Sequence, residues 1–552
     1  MRYLISSLMV ISVIAGTPIA PAAVARNYDI AIMNGRVIDP ETMLDAIRNV
    51  GIKGGRIATI STEKISGKEV IDATGLVVAP GFIDTHFHGV DPFAVKLALR
   101  DGKTSPIDLE AGVFKVKDWY DQKAQEGWQA NYGTTVGLPM IRMTVHDPEV
   151  KFDRPVEYTN VFDYINQVAK DGVAGWSITK SSIAQMNQIM KILDEDLRQG
   201  AIGVGIPINY MTEGLTSYEA FEAQRVAGRY GRLSSVHLRY HGLSQTPTES
   251  PISFDEVFAN AVLVGAPLLV CHNNNWGWWE IEEKLQMARD KGFNMWSEYY
   301  PYEAGFTIVG SPALRPENWE KIRGYKYEDT IFDPLSSKFL DKAAYQDLVK
   351  KEPGHLVIAY VPERKSWIPY WLAIPHMTVA SDSGSARGID NKLLPWGADY
   401  TKYVGHPRTT GTAAKVLRLA REQGVPLMFT IAQLSYWSAK HLGDAGLQSM
   451  KERGRVQEGK VADLTLFDPK TVTDNATYKL GESGLPSTGI PYVLVNGTVV
   501  VKNSVVLPVK PGQPLRYPVE EKGRFVPVSI QKWADEHTIG TRGIPDLNDE
   551  KF

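Results

Sequence analysis

The middle of this 552-residue chain alternates short apolar runs with helical stretches, and this alternation constrains the fold more than any other feature. The apolar runs, each of strand length, are 133–138, 202–208, 234–238, 267–271, 356–361 and 377–381. Helical stretches such as 182–199 and 413–423 separate them. Strands and helices that alternate over 76–442 favour a parallel sheet closed into a (β/α)8 TIM-type barrel. An open doubly wound sheet is the alternative, but no Gly-x-Gly-x-x-Gly follows a strand, as its nucleotide site would require.

Both ends of the chain have the pattern of short strands separated by turns. The segment 28–60 contains Asn34-Gly35, a dipeptide typical of β-hairpins, and the pattern returns at 454–501. We therefore predict a small discontinuous β-sandwich domain built from both ends. The predicted division is a signal peptide at 1–25, β-sandwich parts at 26–75 and 451–507, the barrel at 76–450 and a C-terminal extension at 508–552.

The composition is that of an ordinary soluble globular protein, with 43% hydrophobic and 22% charged residues. The formal net charge of −3 gives no electrostatic case for a nucleic-acid or anionic-membrane partner. The single cysteine, Cys271, excludes an intrachain disulfide and a cysteine-rich metal site. The oligomeric state stays open.

The N-terminus has the three parts of a secretory signal peptide. Arg2 supplies the positive start, residues 3–19 are mostly apolar, and Ala23-Val24-Ala25 has the pattern of a cleavage site. Cleavage after Ala25 predicts a periplasmic or secreted protein. A membrane anchor is the alternative, and no later segment reaches the roughly 18 apolar residues that a spanning helix needs.

Five potential metal ligands stand at predicted strand ends, where barrel enzymes place their chemistry. They are His86, His88, His237, His272 and Asp382. His86 and His88 are two residues apart after an apolar stretch, so on a strand both imidazoles point to one side. Imidazole and carboxylate ligands suit zinc or a similar divalent ion. A single histidine would more simply be a hydrogen-bonded core residue, but the whole set predicts a site for one or two ions.

Several longer stretches are shared with a known family. They are 34–39, 78–88, Tyr300-Pro301-Tyr302, Ser381-Asp382, 406–412 and 454–464. Through these stretches the chain resembles the amidohydrolase superfamily and, within it, the N-acyl-D-amino-acid deacylase (D-aminoacylase) group. The resemblance covers nearly all of the chain after the predicted signal peptide, and it implies a metal-dependent hydrolase.

The resemblance also implies a role for each site residue. His86 and His88 would hold one metal ion with Asp382, and His237 and His272 would hold the neighbouring position. Asp382 would take a proton from the activated water and pass it to the leaving amine. Tyr300 would help to polarise the scissile carbonyl, with a packed aromatic residue as the alternative.

Two ligands of the family are absent from their expected places. The deacylase group has a cysteine near the end of its second strand, and counting from Thr134 places that position near Ile141. Cys271 is adjacent to His272, so on a strand it is expected to face the other way. Other subtypes have a carboxylated lysine on the fourth strand, and 202–208 contains no lysine. A single-metal site is therefore the simpler hypothesis.

The predicted substrate contacts depart from the family as well. Asn274 stands where the family has a lysine for the substrate carboxylate. Arg239 could instead meet an acidic group, with a structural salt bridge as the alternative. The long connection 89–128 and the cluster Trp276-Gly277-Trp278-Trp279 suggest an aromatic-lined pocket for a hydrophobic acyl or aryl group, and a lid packed on the barrel is the alternative.

These features favour hydrolysis of a small-molecule linear amide, an N-acyl (D-)amino acid, by a metal-activated water. A cyclic-amide hydrolase of the dihydropyrimidinase or dihydroorotase type is the second hypothesis, and Tyr300-Pro301-Tyr302 and 406–408 favour the first. A deaminase is disfavoured because Tyr240 stands in place of its usual glutamate. A catalytically decayed barrel that acts as a binding protein is the non-enzymatic alternative.

Overall fold

The computed structural model describes residues 27–168, 174–240 and 249–539. The predicted signal peptide at 1–25 and the end of the predicted extension, 540–552, lie outside the described residues. Within the described ranges, no helix combines the length and the apolarity that crossing a bilayer requires.

Strands and helices alternate through most of the described chain. In chain order the strands are β1 (Asn27–Asp39), β2 (Leu44–Lys53), β3 (Arg56–Ser61), β4 (Ser66–Asp72), β5 (Val77–Pro80), β6 (Phe82–Asp84), β7 (Lys103–Pro106), β8 (Asp108–Val113), β9 (Thr134–Gly137), β10 (Gly203–Pro207), β11 (Leu233–His237), β12 (Leu268–Val270), β13 (Met295–Tyr299), β14 (Ala304–Ile308), β15 (Ile331–Asp333), β16 (Lys338–Phe339), β17 (Leu356–Tyr360), β18 (Thr378–Val379), β19 (Leu464–Phe467), β20 (Tyr492–Val495), β21 (Thr498–Lys502) and β22 (Val505–Val506). The α-helices are α1 (Pro92–Arg100), α2 (Val116–Glu126), α3 (Leu138–His146), α4 (Val161–Val168), α5 (Gly175–Ile178), α6 (Ile183–Leu197), α7 (Ser217–Arg229), α8 (Glu249–Val264), α9 (Trp278–Asp290), α10 (Pro316–Trp319), α11 (Tyr327–Thr330), α12 (Lys342–Lys351), α13 (Arg364–Trp371), α14 (Arg408–Gln423), α15 (Leu427–Ile431), α16 (Trp437–Asp444), α17 (Gln448–Lys451) and α18 (Ile530–His537).

A sheet that contains nine strands of the described chain joins the two ends, as the sequence pattern predicts. β1 to β5 form one part and β19 to β22 the other, and they meet where β5 pairs antiparallel with β19, Ala79 opposite Thr465. Apolar side chains from both parts form a core of their own. Asn34, with a left-handed φ of 60°, makes a bulge with Gly35 inside β1 rather than the predicted hairpin turn, because β1 resumes its pairing with β2 beyond it.

Eight strand positions of the described chain close into the predicted barrel. They are β6, the run of β7 and β8, β9, β10, β11, β12, β13 and β18. A parallel bridge between Phe87 and Ser383 joins the eighth position back to the first. Ser381 reinforces this closure by donating its backbone N–H to the carboxylate of Asp84 (3.0 Å). The barrel confirms the predicted fold class and overturns the open-sheet alternative.

The strand assignment from sequence is wrong at two barrel positions. The second barrel strand, β7 with β8, lies inside the stretch 89–128, which the pattern predicts to be a single connection. Lys103, Thr104 and Ser105 make this strand polar, although all three are buried. The run 356–361, predicted as a barrel strand, is β17 of an antiparallel sheet, and β13 takes the seventh barrel position instead.

An inserted layer, residues 304–361, lies between β13 and β18. β14 to β17 form its sheet, α10 to α12 accompany it, and an apolar core of its own includes Trp319, Ile331 and Val357. This separate core explains why β17 is as apolar as a barrel strand. The layer faces the carboxyl end of the barrel, where it forms one wall of a cavity.

The described part of the C-terminal extension, 508–539, packs against the barrel. Leu515 is buried, and its carbonyl accepts a hydrogen bond from the Tyr120 hydroxyl (2.9 Å). Glu520 pairs with the buried guanidinium of Arg232 (2.9 Å). These contacts tie the extension to α2 and to the start of β11.

A buried lysine provides a test of the barrel closure. Lys103 Nζ lies 2.9 Å from Asp84, the carboxylate that also binds Ser381, and 3.7 Å from Asp101. Lys103→Met leaves both carboxylates buried without their cation, so we expect the free energy of unfolding to fall by about 3 kcal/mol. Urea denaturation followed by tryptophan fluorescence measures the change.

Lys117→Met is the matched control, because Lys117 forms an exposed pair with Asp121 one turn along a helix. Exposed pairs contribute little, so this variant should keep the wild-type denaturation midpoint. Equal midpoints for the Lys103 variant and the wild type would contradict a role of this ion pair in the closure.

Candidate metal centre and cavity

Six imidazole and carboxylate side chains converge at the carboxyl end of the barrel. His86 and His88 follow β6, Glu110 lies on β8, His237 ends β11, His272 follows β12 and Asp382 follows β18. Parallel strands place their carboxyl ends at one edge, so ligands from distant parts of the chain meet there. The structure brings the five predicted metal residues together and adds Glu110 to them.

The first group of ligand atoms has the spacing of a tetrahedral metal site. His86 Nε2 lies 3.0 Å from His88 Nε2, and the two lie 2.9 and 3.1 Å from Glu110 Oε2. Asp382 Oδ1 lies 3.4 and 3.6 Å from the same two nitrogens. Ligand atoms bonded at zinc distances to one tetrahedral ion stand about 3.3 Å apart, so these separations fit a single ion at their centre.

The second group shares the carboxylate of Glu110. Glu110 Oε1 lies 2.6 Å from His237 Nδ1 and 3.4 Å from His272 Nε2. The ligand atoms of these three residues lie within 4.8 Å of one another. Glu110 therefore offers one oxygen to each group, which is the arrangement of a carboxylate that bridges two ions.

Glu110 takes the bridging place for which the sequence pattern predicts no residue. The predicted position near Ile141 depends on taking 134–137 as the second strand, whereas it is the third. On the second strand, Asp108 and Glu110 are two residues apart and both buried. Two acidic residues at strand spacing in a buried run were the available signal. The geometry favours two metal positions over the single-metal hypothesis.

Two further carboxylates hold the histidines of the first group. Glu298 Oε1 lies 2.6 Å from His86 Nδ1, and its other oxygen accepts a hydrogen bond from Thr85 (2.6 Å). Asp108 lies 2.9 Å from His88 Nδ1. A carboxylate at the second ring nitrogen fixes the tautomer, so that Nε2 is available as a ligand. Neither supporting residue is among those predicted from the sequence.

The cluster stabilises positive charge at its centre. Burial opposes the ionised form of Glu110, but the imidazoles of His86 and His237 outweigh it and hold the pKa of this carboxyl well below its usual value. Burial also opposes a charge on His86, yet the carboxylates of Glu110 and Asp382 raise the pKa of its imidazole well above the usual range. Protons or metal ions can supply that positive charge. Divalent metal ions are best suited, because they bind neutral imidazoles and ionised carboxylates.

Asp382 connects the ligand cluster to a buried arginine. Its Oδ2 lies 2.9 Å from Arg408 Nη1. Burial works to raise the pKa of Asp382, but Arg408 and the nearby imidazoles lower it below its usual value. His406 positions the arginine, because its Nδ1 accepts the backbone N–H of Arg408 (3.0 Å) while its Nε2 donates to the carbonyl of Ala304 (3.1 Å). The His-Pro-Arg stretch thus supplies the cation that keeps this carboxylate ionised.

Two of the ligands stand on left-handed backbone. His272 has a φ of 29° and Asp382 a φ of 50°, in a region that costs non-glycine residues about 1–3 kcal/mol each and that clusters at functional sites. Because the backbone turns at His272, Cys271 does not face away from the site as strand alternation predicts. The Cys271 sulfur lies within 4.8 Å of ligand atoms of His86 and Glu298, inside the barrel.

A cavity of about 320 Å³ opens at the ligand cluster. Loops that follow the third barrel strand supply one apolar wall, the barrel-loop lobe, with Met140, Tyr158, Val161, Phe162, Ile165 and Trp176. The inserted layer and the start of α13 supply the other, the inserted-layer lobe, with Phe306, Ile308, Leu314, Trp319, Leu356, Val361, Arg323 and Arg364. The third and seventh strands are on opposite sides of an eight-stranded barrel, so the metal ligands lie between two apolar lobes.

The predicted substrate residues lie in different places. Tyr300 lines the cavity, and its hydroxyl accepts an N–H of Arg364 (2.8 Å). Asn274 is buried behind it and exchanges two hydrogen bonds with the Tyr300 backbone (3.0 and 3.2 Å). Arg239 is bound to Glu256 (2.6 and 2.9 Å) and is not among the described residues that line the cavity. Arg239 therefore forms a structural salt bridge, which was the alternative to a substrate contact.

Aromatic residues line the cavity, but they are not the ones that the sequence suggests. Trp128 lies under Lys123 at 3.8 Å, away from the cavity, and Trp276 and Trp279 are 44% and 43% exposed. Tyr158 lines the cavity instead and stacks on His88, with ring centres 4.5 Å apart. The stretch 89–128 contributes the bridging carboxylate rather than an aromatic wall.

Comparison with known proteins finds relatives that align over most of the chain. No family model matches the chain. D-aminoacylase and N-acyl-D-glutamate deacylase of Alcaligenes xylosoxydans xylosoxydans are 24% and 26% identical to it, and the alignments cover 86% of this chain and 94% and 93% of the relatives. N-acyl-D-glutamate deacylase of Bordetella bronchiseptica, solved in complex with zinc and a phosphonate mimic of the tetrahedral intermediate, shares the fold with a TM-score of 0.69. It is 22% identical, and the superposition covers 89% of this chain and all of the other.

Removal of Glu110 tests its bridging position. We expect the wild-type protein, loaded with zinc and dialysed, to retain two ions per chain by elemental analysis. Glu110→Ala should retain at most one, because both groups lose a ligand and the second is left with two imidazoles. Asp382→Ala is the matched control: it removes a ligand from the first group alone, so the ion at His237 and His272 should stay. Two firmly held ions in Glu110→Ala would contradict the bridge.

Proposed function

Because this chain belongs to the amidohydrolase superfamily, in its D-aminoacylase group, we propose that it hydrolyses the linear amide of N-acyl amino acids. The observation that carries the proposal is the convergence of six ligands, arranged as two groups around one carboxylate, at the floor of an apolar cavity. The relatives that align over most of the chain include a D-aminoacylase, an N-acyl-D-glutamate deacylase and an N-acyl-D-aspartate deacylase, which supports a linear substrate over a cyclic one. A complete ligand set also argues against a decayed barrel.

The ligand set fits divalent ions, and its imidazole and carboxylate donors suit zinc. His86, His88 and Asp382 would hold the first position, His237 and His272 the second, with Glu110 between them. A divalent ion in such a site supplies Lewis acidity, which makes a water acidic enough to ionise near neutral pH.

Asp382 is placed to move the proton. Its Oδ2 is held by Arg408, whereas its Oδ1 lies at the ligand nitrogens at the floor of the cavity. The Asp382 side chain is 15% exposed, whereas those of His86 and His88 are 0% and 4% exposed. Substrate can therefore reach the carboxylate. A carboxylate kept ionised by an arginine can accept a proton as water attacks, and then give it to the leaving nitrogen.

Three tyrosines, Tyr158, Tyr210 and Tyr300, line the cavity at the ligand cluster. Burial raises the pKa of Tyr158 above the usual range, so its hydroxyl stays protonated and able to donate. Tyr210 lies edge-on to His237, with ring centres 5.3 Å apart. Tyr300 receives its hydrogen bond from Arg364 and has its own proton left to give, which fits a donor to the scissile carbonyl.

A panel of N-acyl amino acids tests the proposal, with both enantiomers and one cyclic imide included. We expect metal-loaded protein to hydrolyse the linear substrates, to lose activity with a chelator and to regain it with zinc. Asp382→Asn should lower kcat by about 10²- to 10⁴-fold, the range of general acid–base catalysis.

Asp390→Asn is the matched control, since this exposed carboxylate does not line the cavity and should leave kcat unchanged. Hydrolysis of the cyclic imide alone would support the cyclic-amide hypothesis instead. Metal binding without turnover of any amide in the panel would favour the binding-protein hypothesis.

We also propose that residues 1–25 direct export and are removed. Support comes from the positive start, the apolar run and the small residues at 23 and 25. Expression in a Gram-negative host should give a periplasmic protein whose first residue, by N-terminal sequencing, is Arg26. Ala25→Leu should block cleavage, and Ala20→Leu, away from the cleavage position, should not. A soluble protein that keeps residues 1–25 in the cytoplasm would contradict export.

A further inference from the structure

Arg364 is a buried cation whose hydrogen-bond partners are all neutral. The residue is 4% exposed, yet Nε donates to the carbonyl of Asn274 and Nη1 to the hydroxyl of Tyr300, both at 2.8 Å. Nη2 donates to the side-chain oxygen of Asn275, also at 2.8 Å. No carboxylate of the described chain forms an ion pair with it. A guanidinium removed from water without an anion is costly, so this site is suited to an anion that comes from outside the chain.

The same guanidinium still has hydrogens to offer. Arginine carries five N–H donors, and the three contacts leave one on each terminal nitrogen. Arg364 lines the cavity beside the metal ligands, and so does Arg323. Burial, with Arg364 nearby, lowers the pKa of Arg323 to about 10, and its buried Nε has no hydrogen-bond partner in the described structure.

The third arginine of the cavity is already committed. Arg408 is paired with Asp382, so its charge serves that carboxylate. The Tyr300 ring lies close to both arginines, with its centre 5.4 Å from the guanidinium carbon of Arg364 and 5.0 Å from that of Arg408. Among the described residues, Arg364 and Arg323 are therefore the arginines of the cavity that form no ion pair with a carboxylate of the chain, and an entering anion can balance their charge.

We propose that Arg364 binds the carboxylate of the substrate and that Arg323 completes the cationic patch. The inference rests on the proposed function, because it takes the substrate to be an N-acyl amino acid. It also orients that substrate: the amino-acid half lies in the inserted-layer lobe and the acyl half in the barrel-loop lobe. Both lobes are walled mainly by apolar side chains, so the substrate class is an acylated amino acid whose side chain and acyl group are both apolar.

A pair of substrates that differ only in charge tests the assignment. N-acetyl-leucine, in whichever enantiomer is turned over, is compared with N-acetyl-leucinamide, which has a neutral carboxamide in place of the carboxylate. Arg364→Gln should lower kcat/KM for the carboxylate substrate by about 10- to 100-fold, mainly through KM. Losing a hydrogen bond between charged groups weakens binding by about this factor. The carboxamide should be affected much less, and Arg364→Lys should recover part of the loss.

Lys321→Gln is the matched control. It removes an exposed positive charge from the inserted layer, outside the described lining of the cavity, and should leave both substrates unchanged. Equal losses on both substrates in Arg364→Gln would overturn the proposal, because they would mean that Arg364 only holds Asn274 and Tyr300 in place. A loss in Lys321→Gln as large as that in Arg364→Gln would overturn it as well, in favour of a diffuse electrostatic field.

Calorimetry separates failure of this inference from failure of the proposed function. If zinc-loaded wild-type protein hydrolyses neither these two compounds nor any other amide of the panel, the proposed function fails, and the binding of N-acetyl-leucine and of its carboxamide is measured directly. Binding of the carboxylate alone, lost in Arg364→Gln, would support the anion site without turnover. Equal binding of both compounds, or binding unchanged in Arg364→Gln, would overturn it.

Discussion

A carboxylate buried among imidazoles is the interaction around which the mouth of this barrel is arranged. Glu110 gives one oxygen to His86 and His88 and the other to His237, so its position holds both groups together. Such a group is tolerated only where positive charge compensates it at short range. The ligands come from five different strand positions, and their distances therefore depend on the closure of the whole barrel. The network of Asp84, Ser381 and Lys103 at that closure belongs to the site as much as to the fold.

The apolar walls give the few charges in the cavity their strength. Electrostatic interactions grow as water is excluded, so a guanidinium within an apolar wall discriminates charge far better than one at the surface. The two arginines have different partners. Arg408 pairs with Asp382 and keeps it ionised, whereas Arg364 donates to the neutral hydroxyl of Tyr300. The same exclusion of water raises the pKa of the Tyr158 phenol, because burial disfavours a phenolate.

Much of this arrangement could be predicted from the sequence. The His86-Phe87-His88 pair, the later ligands and the alternation of strands and helices indicated the barrel, the metal and the place where they meet. Glu110 was missed because its strand begins Lys103-Thr104-Ser105, and a polar barrel strand does not look like a strand when burial is judged from apolarity. The apolar run 356–361 misled for the opposite reason, since its burial belongs to the core of the inserted layer. Cys271 faces inward because the backbone at His272 leaves the strand conformation, which residue alternation cannot anticipate.

The cation that we propose for the substrate carboxylate could not be predicted from the sequence alone. Asn274 has no charge in the place where the family has a lysine, and Arg239, the nearest arginine in the pattern, is occupied by Glu256. Arg364 donates to the backbone of Asn274 from 90 residues further along the chain, a contact that exists only once the inserted layer is in place. Arg364 follows directly after the layer, at the start of α13, but its guanidinium is held by hydrogen bonds to Asn274, Asn275 and Tyr300 at the mouth of the barrel. The proposed cation for the substrate is therefore positioned by the barrel, whereas the apolar wall beside it belongs to the inserted layer, so the cavity needs both parts of the fold.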